Sequence, residues 1–156
     1  MSDIERLYQQ LLSIGDQAFY QIEADFCCVL YYGIPEESRP PCVTAFLTVA
    51  DWFAKSERSG VWTFYEAANP KDIELTAKFL EGTGNRDFAS IFRYGIHDYQ
   101  NTRYAGNYAY PDEWIGESEK IDAWIEQHSN WLYAWERTLL IENQTLICSC
   151  CTANLK

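Results

Sequence analysis

Apolar positions recur at spacings of three and four along most of this chain. Ile4, Leu7, Tyr8, Leu11 and Leu12 share one helical face behind a Ser2/Asp3 cap. Gly15-Asp16 interrupts the pattern, which resumes through Ala18, Phe19, Ile22, Phe26, Val29 and Leu30 and ends near Gly33-Ile34-Pro35. A polar connector, 36–41, precedes a firm stripe at Val43, Phe46, Leu47, Ala50, Phe53 and Ala54, closed by Ser59-Gly60. After a short aromatic piece (61–68) and the Asn69-Pro70 break, a helix is predicted from Asp72 to Gly82. Asn85 or Asp87 then caps another, carrying Phe88, Ala89, Ile91 and Phe92. Residues 96–110, rich in Tyr, Asn and Gly, read as an ordered loop. A last long helix follows Pro111-Asp112, with Ile121, Trp124, Ile125, His128, Leu132 and Trp135 on one side. The period of 3.6 outweighs the period of two everywhere except 145–148. The expectation is an all-α fold: a single compact domain over 1–156, with about six helices and a Cys-rich tail over its last ten residues.

Composition sharpens this picture. At 156 residues the chain suits one core, and 47% apolar and 16% aromatic residues can fill it. The formal charge of −11, from 23 acids against 12 bases, is therefore not a mark of disorder. It does argue against direct nucleic-acid binding and against an anionic membrane surface, both of which need clustered Lys and Arg. No run approaches the ~18 apolar residues of a membrane span, and the N-terminal sequence enters a helical pattern without a signal-like layout. Neighbouring cysteines such as Cys27-Cys28 and Cys150-Cys151 suit a disulfide framework poorly, so reduced thiols and a cytoplasmic location are expected.

Little in the sequence points to catalysis. Cys148-x-Cys150-Cys151 lacks the paired spacing of a structural zinc site, and Cys27, Cys28 or Cys42 would have to complete it from a distance. His97 beside Asp98, and His128 one turn after Trp124, read as satisfied structural histidines. There is no G-x-S-x-G elbow, and Gly82-Thr83-Gly84 reads as a helix terminus with no phosphate-loop context. No catalytic residue, metal or cofactor is expected, and the chain reads as a non-enzyme.

The acids carry the most information. Residues 1–40 hold seven acids against Arg6 and Arg39, with Glu36 and Glu37 adjacent. The stretch 112–126 holds six acids against Lys120 alone. Within it Glu117 precedes Glu119, Asp122 and Glu126, whose spacings of three and four place them on one face, away from Ile121, Trp124 and Ile125. Repulsion at that spacing costs only a few tenths of a kcal/mol per pair, which a simple solvated face tolerates. The rival reading is imitation of phosphates. A compact chain of this length is roughly 40 Å across, and duplex DNA carries about two dozen charges over that length. The 23 carboxylates are of the same order.

The run Ser59-Gly60-Val61-Trp62-Thr63-Phe64-Tyr65-Glu66, followed by an acidic-start helix from Asp72 to Leu80, then Gly82 and Phe88 to Phe92, resembles the Neisseria-type dimeric DNA-mimic family of small acidic helical bacterial proteins. The resemblance spans about residues 1–142; Ser59, where a second glycine is common, and the Cys-rich end depart from it. It implies a homodimer that occupies the DNA-binding surface of a basic transcription factor and relieves repression. The resemblance carries over no residue set for the partner contact; the charge pattern itself points to Glu36, Glu37, Glu117, Glu119, Asp122 and Glu126 as the partner face. Gly60, Trp62, Phe64 and Tyr65 serve as core or dimer contacts. Two alternatives stand beside it: an immunity-type inhibitor of a basic toxin nuclease, and a small-molecule enzyme using a carboxylate pair in the Tyr-rich loop (Tyr94, His97, Asp98, Tyr104).

Overall fold

The computed structural model describes residues 1–153, and every regular element among them is helical. Helix α1 (Asp3–Ser13) leads through a 3₁₀ segment (Asp16–Gln21) to α2 (Glu23–Gly33). A short 3₁₀ turn (Glu36–Ser38) then precedes α3 (Pro41–Ser59). The chain continues as α4 (Trp62–Ala67), α5 (Pro70–Gly82), α6 (Arg86–Tyr94), α7 (Asp112–Gln127), α8 (Ser129–Glu142) and α9 (Gln144–Ala153). No helix among the described residues is long and apolar enough to cross a membrane.

The all-α class follows from the periodicity, but there are more helices than the expected six or so. Each extra boundary is a local event to which periodicity is blind. The predicted last long helix breaks at His128, whose backbone sits at φ −112° and ψ 14°. Its imidazole Nδ1–H donates to the Trp124 carbonyl at 2.7 Å, alongside its own backbone N–H at 3.0 Å. One apolar stripe is thereby cut in two. Residues 145–148, where alternation had competed with helix, lie within α9, which buries Ile147 and Cys151 four residues apart. The expected Cys-rich tail is thus helical as far as Ala153, and residues 154–156 lie outside the described residues. Helix α5 starts at Pro70 and not at Asp72. Proline is compatible with a first helical position, and the Asn69 side chain accepts the Lys71 N–H at 3.0 Å. At α1 the expected cap is a full capping box between Ser2 and Glu5, which holds the Glu5 carboxyl below its usual range.

The helices group into two compact units, Met1–Ala50 with the chain from Ser129 onward, and Asp51–His128. In the first, Leu7, Tyr8 and Leu11 of α1 are buried, as are Phe26 and Leu30 of α2, Val43 and Phe46 of α3, and Leu132 and Leu140 of α8. The Tyr8 hydroxyl donates to the Leu140 carbonyl at 3.0 Å, and its ring meets Phe26 edge-on at 5.3 Å. No disulfide joins the cysteines among the described residues. Burial pushes Cys42 up, and Cys151 up to about 11, so both stay protonated and weakly nucleophilic.

In the second unit Trp52 lies among Phe88, Phe92 and Trp124, with ring centroids 5.7–6.3 Å away. Its indole N–H donates to the Tyr65 hydroxyl at 2.9 Å, and that hydroxyl donates to the Phe92 carbonyl at 2.6 Å. Both polar groups are deeply buried, so each bond avoids a desolvation cost of about 1–3 kcal/mol. Gly95 makes this possible: a Cβ there would stand 2.3 Å from the Tyr65 ring.

One buried carboxyl group lacks such partners. Glu136 of α8 is fully buried, and burial first, then the neighbouring Glu23 carboxyl, holds its own carboxyl well above the usual range. A raised folded-state value means that the stability it confers is complete below the ordinary carboxylate pKa and is lost as pH rises towards the folded-state value. Glu136→Gln keeps the shape and removes the titration. Denaturant unfolding from pH 4.5 upward should show the variant gaining on the parent by up to about 1.4 kcal/mol per pH unit. A constant difference across that range would contradict the assignment.

Candidate functional site

The acidic helix α7 is held in place through the glycine–aromatic turn that precedes α4. Gly60 adopts φ +91°, a left-handed conformation, and a Cβ there would meet the Trp62 ring at 3.0 Å. This turn frees the Val61 N–H, which donates to Asp122 Oδ1 at 2.9 Å; the Ser56 hydroxyl donates to the same oxygen at 2.6 Å. Asp122 therefore pins α7 against the end of α3 and the start of α4. Trp62 is half-buried against Tyr108 and Tyr110, while Phe64 and Tyr65 are buried in the core of this unit.

The six acids expected on the partner face fall into different environments. Glu119 and Glu126 are exposed on α7. Asp122 is turned inward by the contacts just described. Glu117 is less than a quarter exposed and pairs with His97 Nε2, and the His97 ring stacks on Trp114 at 4.5 Å. Glu36 and Glu37 are exposed on the 3₁₀ turn of the other unit. The nearby Arg39 does not neutralise them: its guanidinium donates to the Ile34 and Tyr31 carbonyls at 3.1 and 2.9 Å and lies over the Tyr31 ring.

Two exposed acids that the spacing argument passed over join Glu119 and Glu126. Asp112, Glu119 and Glu126 are seven residues apart, so they share one line along α7 at intervals of about 10.5 Å, and Glu113 stands beside the first. That heptad spacing was visible in the sequence. What hid it was the more closely spaced trio that included Asp122. None of the four has a Lys or Arg partner among the described residues. The Lys/Arg ion pairs lie elsewhere, as where Arg93 meets Glu74 at 3.1 Å and Glu81 at 2.9 Å and holds the Glu74 carboxyl below its usual range.

Both histidines are engaged, His97 by Glu117 and His128 by the Trp124 carbonyl. Among the described residues no three His, Cys, Asp or Glu side chains converge as a metal-binding group. Of the four loop residues considered for an enzyme, His97 and Asp98 line one cleft, whereas Tyr94 is exposed and Tyr104 packs on Tyr110 and Trp114. No protein-family model, curated protein or solved structure matches the chain.

The division between structural and free acids is measurable. Asp122→Ala removes a carboxylate that accepts two hydrogen bonds, and should cost about 1.5–3 kcal/mol in urea unfolding. Glu119→Gln and Glu126→Gln should each change stability by no more than about 0.5 kcal/mol. Equal effects at the three positions would show that Asp122 does not anchor α7.

Proposed function

We propose that the chain is a non-enzymatic acidic decoy that binds a basic DNA-binding protein and competes with DNA for it. The observation behind this reading is the row Asp112, Glu113, Glu119 and Glu126 on α7, exposed and without Lys or Arg partners among the described residues. Exposed Glu36 and Glu37 add to the same excess, which totals −11.

Magnitudes define how such a decoy works. The α7 row carries three charges over about 21 Å, whereas duplex DNA carries about a dozen over that length. The row is too sparse to reproduce phosphates one for one. It acts through its field, drawing a cationic surface in and speeding association more than deepening affinity. A homodimer, the state expected from the family resemblance, doubles that field. Glu117 and Asp122 serve this reading indirectly, by holding α7 so that its other acids face solvent.

Fluorescence competition against a panel of basic DNA-binding proteins on duplex DNA tests the reading. At about 50 mM salt the protein should displace DNA from at least one of them, and the effect should largely vanish by about 200 mM. Replacing Asp112, Glu113, Glu119 and Glu126 together by their amides should weaken competition at least tenfold while leaving the fold intact. Failure to displace DNA from any panel member at low salt would refute the decoy, and so would full potency in the amide variant.

A further inference from the structure

His97 and Asp98 belong to a cleft of about 300 Å³ in the unit Asp51–His128, separate from the exposed α7 row. Its walls come from Tyr65 of α4, Pro70, Ile73 and Glu74 of α5, and the segment Ile96–Gln100 after α6. Most of that wall is hydrocarbon or aromatic, and no Lys or Arg lines it.

Three features define what the cleft can hold. The Glu74 charge is already answered by Arg93 at 3.1 Å and Lys78 at 3.6 Å. Asp98 is not so answered: its carboxylate accepts one amide hydrogen bond, from Asn101 at 3.1 Å, and no Lys or Arg reaches it. His97 supplies a second acceptor. Glu117 engages Nε2, so in the neutral imidazole the proton sits there and Nδ1 keeps its lone pair. Nδ1 makes no hydrogen bond within the described residues, and stacking on Trp114 holds the ring's plane.

We propose that this cleft binds a primary alkylammonium group, whose N–H bonds are accepted by the Asp98 carboxylate and His97 Nδ1 while its hydrocarbon lies on Pro70, Ile73 and Ile96. An anion is disfavoured by the Asp98 carboxylate, which no Lys or Arg answers, and by the absence of Lys and Arg from the wall. A neutral alcohol leaves the Asp98 charge unmatched, and a quaternary ammonium has no N–H for either acceptor. A primary ammonium meets both demands with three donors. The group is carried equally by a free small amine or by a lysine side chain of a protein. Glu117 acts as a positioning residue, since it sets the tautomer of His97 without touching the ligand.

Two-dimensional NMR of the full chain, titrated with butylammonium chloride at constant ionic strength, tests the proposal. Saturable shifts are expected at Ile73, Ile96, His97 and Asp98, with a dissociation constant on the order of millimolar for so small a ligand. His97→Ala and Asp98→Asn should each weaken binding at least fivefold, with amide dispersion confirming the fold. Glu117→Gln should weaken it and also alter the ¹⁵N shifts that report the His97 tautomer. Tetramethylammonium should bind at least tenfold more weakly than butylammonium. A second arm uses a blocked peptide with a single lysine: tighter binding than butylammonium assigns the site to protein lysines, and weaker binding assigns it to free amines. Shifts spread over Asp112, Glu113, Glu119 and Glu126 with none at the cleft would overturn the proposal, as would equal affinity in the His97→Ala protein. The outcome is independent of the decoy, because the α7 amide variant leaves the cleft intact.

Discussion

A single carboxylate oxygen organises the acidic helix. Asp122 Oδ1 accepts the Val61 N–H and the Ser56 hydroxyl, linking α7 to both sides of the turn at Gly60. A backbone N–H at a helix start lacks an intrahelical partner, and here an acid from a distant helix supplies it. With Asp122 turned inward, α7 has one rotational setting. Ile121 and Ile125 are buried, Glu117 meets His97, and the line through Asp112, Glu119 and Glu126 faces water. The left-handed backbone of Gly60 is part of the same device, because a Cβ there would press on the Trp62 ring.

Behind this anchor lies a polar thread through the aromatic core of that unit. The Trp52 indole donates to Tyr65, which donates to the Phe92 carbonyl. Burial first, then the nearby Tyr99 and Asp122, keep the Tyr65 hydroxyl protonated against the opposing pull of the Trp52 bond, its titration pushed far above the ordinary tyrosine range. Buried donors and acceptors of this kind stabilise only when every member is satisfied, which makes them selective for one arrangement of rings. Gly95 is the steric condition for it. Unlike this thread, Glu136 in the other unit is a buried acid beside another acid, a local conflict that protonation relieves.

The electrostatics divide along the same lines. Carboxylates that cap, clamp or pair are withdrawn from the surface field at short range: Glu5 at its capping box, Glu74 and Glu81 around Arg93, Glu117 and Asp122 on α7. The free acids on α7 and on the 36–38 turn remain to act at distances up to a screening length of about 8–10 Å at ordinary salt. The cleft at His97 sets charge differently, with the Asp98 carboxylate and the His97 imidazole beside a largely apolar wall, a short-range arrangement and not a source of long-range attraction.

The all-helical class was legible in the spacing of Val43, Phe46, Leu47, Ala50 and Phe53, because burying one helical face imposes a period that a linear reading detects. The Ser2 cap, the Gly60 turn and the acidity of 112–126 were legible for the same reason: each depends on residues close in sequence. The breaks at His128 and Asn143 were not, since an apolar stripe runs across an irregular residue without changing its period. Nor could spacing separate Asp122 from Glu119, because helical geometry puts both near one face and only the partner across the fold distinguishes them. His97 shows the same limit: its neighbour in sequence is Asp98, but its partner is Glu117, twenty residues on. Sequence alone thus determined that the chain folds into helices and how much charge it carries. Which of those charges face water was decided by tertiary structure, because a buried donor must be satisfied by whichever acceptor the packing brings to it.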